Sequence, residues 1–93
     1  MKLNIEWGPE ALGTLTWEKA VEWAGSLGEG WRLPTIGELR IAYEQKVGGF
    51  ASGNYWSSSE NYSGGAWNQA FSNGYQYNGG KSSTRRVRAC RDE

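Results

Sequence analysis

Gly30–Leu39 reads GWRLPTIGEL. Thr35 and Glu38 stand at the T-x-x-E spacing of a capping box. The threonine hydroxyl accepts from a backbone N–H of the first turn, and the glutamate reaches back to the cap. A helix is therefore predicted to open after Thr35 and to run to about Lys46, with Leu39, Ala42 and Tyr43 on its inward face. Gly48-Gly49 is expected to stop it. Upstream, Thr16 is a suitable N-cap for a helix over Trp17–Leu27, with Glu18 in the first turn. Trp17, Ala20, Val21, Ala24 and Leu27 form its expected apolar stripe, and Gly28 and Gly30 end it. Before that, Lys2–Trp7 alternates, placing Leu3, Ile5 and Trp7 on one side of a short strand that Gly8-Pro9 breaks.

Downstream of the second helix the pattern changes to period two. Tyr55–Ser59, Ala66–Phe71, Tyr75–Asn78 and Arg85–Arg91 read as strands. Ser72-Asn73-Gly74 between two of them is a hairpin signal. In the last strand Val87 and Ala89 point one way and Arg86, Arg88 and Cys90 the other. Two helices followed by antiparallel strands indicate an α+β fold. Trp31, Trp56 and Trp67 are expected in the core. Trp67 and Phe71 share one face of their strand, which leaves Asn68 and Ala70 on the opposite face.

The chain has 93 residues, enough for one domain spanning 1–93. A domain of this size hides roughly 60–68% of its unfolded surface, so its core is modest. Six Trp among these residues supply apolar bulk and argue against whole-chain disorder. Net charge is zero but uneven. Residues 1–60 carry five basic and eight acidic side chains, whereas residues 61–93 carry five basic and two acidic ones. The C-terminal excess is Lys81, Arg85, Arg86, Arg88 and Arg91. Outward Arg on a surface strand explains it more simply than a nucleic-acid site, because such domains usually run basic overall. Pairing of these Arg residues with Glu38, Glu60 or Glu44 is one expectation, and lining a ligand face is the other.

With a single cysteine, Cys90, no intrachain disulfide forms, and no His or second Cys is present to hold zinc. No apolar run is long enough to span a bilayer, so membrane insertion is not expected. Met1–Glu6 holds no signal-peptide h-region, so export by that route is not expected either. Without His there is no Ser-His pairing, and no Gly-rich phosphate loop occurs. Glu22, Glu38, Glu44 and Glu60 are scattered. No catalytic residue, cofactor or metal ligand is assigned, and an enzyme is not expected.

Ser57–Thr84 differs from the rest of the chain. Twenty of its 28 residues are Ser, Gly, Asn, Tyr or Thr. Antibody-type loops choose the same residues, since Tyr gives large stiff contact area while Ser, Gly and Asn give adaptable hydrogen bonding. Tyr75 and Tyr77 share a strand face among Gly and Asn, with no apolar stripe nearby to bury them.

GWRLPTIGEL (Gly30–Leu39), YWSSSE (Tyr55–Glu60), the AW-x-x-x-F-x-x-G pattern of Ala66–Gly74 and RVRACR (Arg86–Arg91) occur in this order. Over about residues 16–91 the chain resembles the bacterial C-type-lectin-like domain found at the C-terminus of collagen-like adhesins and in variable proteins of diversity-generating retroelements. The resemblance implies a C-type-lectin-like fold, with two helices packed on a twisted antiparallel sheet that carries a hairpin-rich binding face. It also implies non-enzymatic recognition of an unknown protein or glycan through a variable region at about 57–91. In such proteins Asn codons are rewritten at adenines, which yields Tyr, Ser, Thr, Gly and Asp.

Tyr62, Gly64, Gly65, Tyr75, Tyr77, Asn78, Gly79, Gly80, Ser82 and Ser83 are then the diversified ligand-binding positions. Trp67, Phe71, Gly74, Val87, Arg88 and Arg91 are fixed framework. The resemblance implies presentation on a phage virion or cell surface, as a monomer or a trimer. Cys90 stands where the pattern has an aliphatic residue, and a buried thiol packs like one. Calcium-dependent sugar binding is not expected. E-P-N and Q-P-D are absent, and Gln69 replaces the acid of the W-N-D motif. The formylglycine-generating enzyme shares the fold but uses two cysteines. The alternative function is an invariant adhesin-type domain that binds glycan or polyanion through the C-terminal Arg residues.

Overall fold

The computed structural model describes residues 4–61 and 64–93. Its elements follow the order β1 (Ile5–Glu10), α1 (Trp17–Ser26), α2 (Ile36–Glu44), β2 (Asn54–Glu60), β3 (Gly65–Ala70), β4 (Gln76–Gly80) and β5 (Arg88–Asp92). Two helices and two antiparallel sheets make the fold α+β, as the switch in periodicity predicted.

β1 and β5 pair into a two-stranded sheet, with Ile5 opposite Asp92 and Trp7 opposite Cys90. Gly8-Pro9 does not end β1. It falls in a register shift between Trp7 and Glu10, where a proline's missing N–H costs no ladder bond. Arg32 extends this sheet by exchanging backbone bonds of 2.9 Å with Cys90 in both directions.

α1 begins after Thr16, which is extended as an N-cap should be but makes no side-chain cap bond. Ala20 and Ala24 are fully buried, and Trp17 and Trp23 pack against the core. The expected stripe is corrected at two places. Val21 is 42% exposed and Leu27 37% exposed. The buried stripe is centred toward Trp23, which leaves Val21 on its flank, and Leu27 lies beyond the last helical residue.

The capping box of α2 is present. Glu38 N donates to Thr35 Oγ1 (3.1 Å), and Thr35 N donates to Glu38 Oε1 (2.8 Å). The helix ends at Glu44, two residues before the expected Lys46, because Lys46 itself turns left-handed at φ 56°. Val47 N then reaches the Ala42 carbonyl (3.0 Å) and Lys46 N the Tyr43 carbonyl (3.2 Å). This is a Schellman closure with lysine in the position glycine usually takes.

β2, β3 and β4 form a meander, with β3 in the middle. Both faces of β3 are covered. Ala66, Asn68 and Ala70 are buried on one face, and Gln69 is buried on the other. Gln69 Nε2 donates to the Leu39 carbonyl of α2 (3.3 Å). The expected in–out assignment is therefore corrected: Trp67 is half-buried, while Asn68 and Ala70 are inside. Period-two reasoning assumes one wet face, and β3, with α2 over Gln69 and the core cluster over Ala66, has none.

Apolar packing has two centres. Trp56, Leu33, Ala66, Val87 and Ala89 meet Ala20 and Ala24 of α1, flanked by Leu15, Trp17, Trp23 and Trp31. Phe50 stacks on Phe71 with centroids 4.0 Å apart, and Tyr55, Trp7 and Tyr43 close around this pair edge-on. Cys90 is fully buried, and burial pushes its thiol up to about 12.

Candidate functional site

β3 and β4 are joined by a turn at Phe71–Tyr75. Gly74 takes φ 81°, and its N–H donates to the Ala70 carbonyl (2.9 Å). Tyr75 N donates to Asn73 Oδ1 (3.0 Å). A Cβ at Gly74 would lie 2.5 Å from the Tyr43 ring, so both the conformation and the space require glycine. The turn is thereby pressed against α2, and it starts β4 with Tyr75 and Tyr77 pointing outward. These two side chains are 64% and 42% exposed, with ring centroids 6.4 Å apart at 60°.

The other expected contact positions divide by accessibility. Asn78, Gly80 and Ser82 are exposed near the tyrosines in sequence. Nothing lies within 4 Å of a Cβ built at Gly80. Ser83 is half-buried, and its N–H donates to the Gly80 carbonyl (3.1 Å). Gly79 is half-buried; a Cβ there would meet Asn68 Nδ2 at 3.0 Å and Arg85 Nη2 at 3.2 Å. Gly64 is exposed but sits at φ 80°. Gly65 is buried opposite Gly80, and a Cβ would strike the Gly79 carbonyl at 2.7 Å. It lies beneath the face rather than on it. Tyr62 lies outside the described residues.

The tyrosines border a hollow of about 480 Å³. α2 lines it through Arg40, Tyr43 and Glu44, and Asn73, Gly74 and Gln76 complete the lining. Arg40 Nε and Glu44 Oε2 pair at 3.1 Å on that wall. Sequence reasoning missed the α2 contribution. Helical spacing places Tyr43 on the inward face, and no local pattern ties it to residues more than thirty positions away.

The C-terminal cations are held by the framework. Arg86 pairs with Glu10 (2.8 Å) and Arg91 with Glu6 (2.8 Å), not with Glu38, Glu44 or Glu60. Those three acids are paired with Arg32, Arg40 and Lys81 respectively. The long β1–β5 ladder brings Glu6 and Glu10 beside β5, which sequence distance conceals. Arg88 donates to the carbonyls of Gly8 (2.9 Å) and Gly48 (2.8 Å), and lies against the rings of Phe50 and Trp7. Its burial lowers its pKa from the usual guanidinium range. Arg91 lies 4.7 Å over the Trp31 ring, Arg85 5.5 Å over Trp56 and Lys81 4.3 Å over Trp17. The basic excess is thus applied to tryptophans and strand acids.

Elsewhere, Tyr55 donates its hydroxyl to Glu10 Oε1 and accepts from Ala51 N (2.9 Å). Burial, then the bond to Glu10, push it up to about 12. Glu38 is held below the usual carboxylate range, first by the paired bonds from Arg32 (2.8 and 2.9 Å). Among the described residues no group of three or more His, Cys, Asp or Glu stands together to hold a metal ion.

A family model described as the Lcl C-terminal domain matches residues 2–91, a span that holds the capped helix, the meander and the C-terminal motif. The chain belongs to the Lcl C-terminal domain family. Membership points to a variable-protein-like or adhesin-like domain. No similar protein was found among curated proteins. In this Lcl C-terminal domain no described helix is long and apolar enough to cross a membrane.

Proposed function

We propose that this Lcl C-terminal domain is a non-enzymatic recognition module. Its contact face is β4 with the loop after it, its fold is C-type-lectin-like, and its face is diversified by retroelement mutagenesis. The observation that carries the reading is the pair Tyr75 and Tyr77, exposed side by side at the start of an edge strand that has no buried residue. Stiff amphipathic rings beside Asn, Gly and Ser make a contact surface with little entropy to lose on binding. Asn78, Gly80 and Ser82 complete it. Their exposure lets side chains change there without disturbing the aromatic and aliphatic packing beneath.

The polyanion reading rests on the C-terminal arginines, and these already bond to Glu10, Glu6 and backbone carbonyls. Recognition through the tyrosines needs none of them. The face suits a protein or glycan ligand, and the domain would present it from a phage virion or cell surface, as a monomer or a trimer.

The deciding observation is genomic. A near-copy of the codons for about residues 57–91, beside a reverse transcriptase gene and differing only at adenines, is expected. Absence of such a template from the complete source genome removes diversification and leaves an invariant adhesin-type face.

A further inference from the structure

The direction of the backbone groups along β4 identifies a second recognition element beside the tyrosines. Ala70 N donates to the Tyr75 carbonyl (2.9 Å), whereas Phe71 N donates to the Gly53 carbonyl (2.8 Å). Inter-strand bonding alternates along each antiparallel pair. Even-numbered residues of β3 therefore bond toward β4, and odd-numbered ones toward β2. The register places Asn68 opposite Tyr77 and Ala66 opposite Gly79. Tyr77 and Gly79 spend their backbone groups on β3, so Gln76 and Asn78 turn theirs outward. Among the described residues no strand pairs with that side of β4.

Edges of this kind are usually blunted by Lys, Pro or a cover. QYNGG contains neither residue. The hollow along the start of the edge has α2 as its second wall, with Tyr43 and the neutral Arg40–Glu44 pair on it. An N–H and a C=O recurring every second residue, beside a groove with aromatic sides and no net charge, match another extended backbone.

We propose that the ligand of this face is an extended polypeptide segment that adds as a further strand to β4. Its alternate side chains enter the hollow between Tyr43 and Tyr75. This rests on the recognition reading above and narrows its ligand to a linear peptide, bound mainly through main-chain bonds.

The test pans a phage-displayed library of random linear peptides on the full chain, and measures the synthesised winners against two variants. Asn78→Ala keeps the outward N–H, whereas Asn78→Pro removes it without taking a bond from the β3–β4 ladder. Winners are expected to bind Asn78→Pro at least about tenfold more weakly than Asn78→Ala, whose own loss relative to the parent measures the side chain alone. On the parent chain, hydrogen exchange at the Gln76 and Asn78 amides should slow when peptide binds. This readout decides the matter if Asn78→Pro does not fold.

Equal binding to both variants, or unchanged exchange at those amides, overturns strand addition. If Tyr75→Ala then still abolishes binding, recognition by the tyrosine face survives. A library that yields no peptide also overturns the proposal, and recognition is then judged by selecting variants randomised at Tyr75, Tyr77 and Asn78 against folded proteins and glycans. A dimer in light scattering that Asn78→Pro dissolves assigns the edge to a second copy, and overturns it too.

Discussion

Gly74 shows how one residue aligns the proposed face with the rest of the domain. Its positive φ and the nearby Tyr43 ring leave no room for a side chain. Gly74→Ala is expected to destabilise the domain by about 1–3 kcal/mol, read from urea unfolding, and to disturb the start of β4. Gly80→Ala, in open space, should be far milder. Cys90 and Tyr55 make a separate prediction about pH. Burial pushes both up to about 12 in the folded chain, from 9.0 and 10.0 respectively. Between those values the unfolded chain has lost protons that the native chain still holds, so stability falls as pH rises. It should be undiminished by these groups below pH 9.0 and lost progressively toward about 12. Chemical denaturation across this range reads the loss, and Cys90→Ala should remove the part that begins below the Tyr55 window.

Among the elements, α2 was the most legible. Thr35, Glu38, Leu39 and Ala42 each do in the structure what their spacing announced, because capping and helical periodicity are local interactions. Thr35→Ala should cost about 0.5–2 kcal/mol in denaturant unfolding. The loss should fall toward the upper end, because Glu38 also anchors Arg32. The end of α2 was harder to read, since nothing local marks Lys46 as left-handed. β3 was misread for a different reason. Alternation tells which residues share a face, but not whether one face or both are dry. Here α2 covers Gln69 while the core cluster covers Ala66 on the face that also buries Asn68, so a polar residue is buried on each face.

At the scale of the whole molecule the two termini meet in the β1–β5 sheet, and this pairing disposes of the C-terminal charge. Glu6 and Glu10 come to Arg91 and Arg86, and the tryptophans lie under the remaining cations. The exposed pair Tyr75 and Tyr77 contributes to neither apolar centre. Tyr75→Ala with Tyr77→Ala is therefore expected to move stability by no more than about 0.5 kcal/mol per site while abolishing binding to any ligand of this face. Thermal unfolding beside a binding assay on a selected ligand separates the two effects. A collapse of the fold would place the rings in the core.

The sequence by itself determined the α+β class, the capped second helix, the turn glycine and the unusual composition of the contact strand. It also carried the motifs that place the chain in its family. Each of these depends on residues a few positions apart. Tertiary structure alone decided which glycines have room above them, which acids receive the arginines, and that α2 walls the hollow beside Tyr75. Those outcomes depend on ladders and packing between residues tens of positions apart, where neither periodicity nor capping carries information.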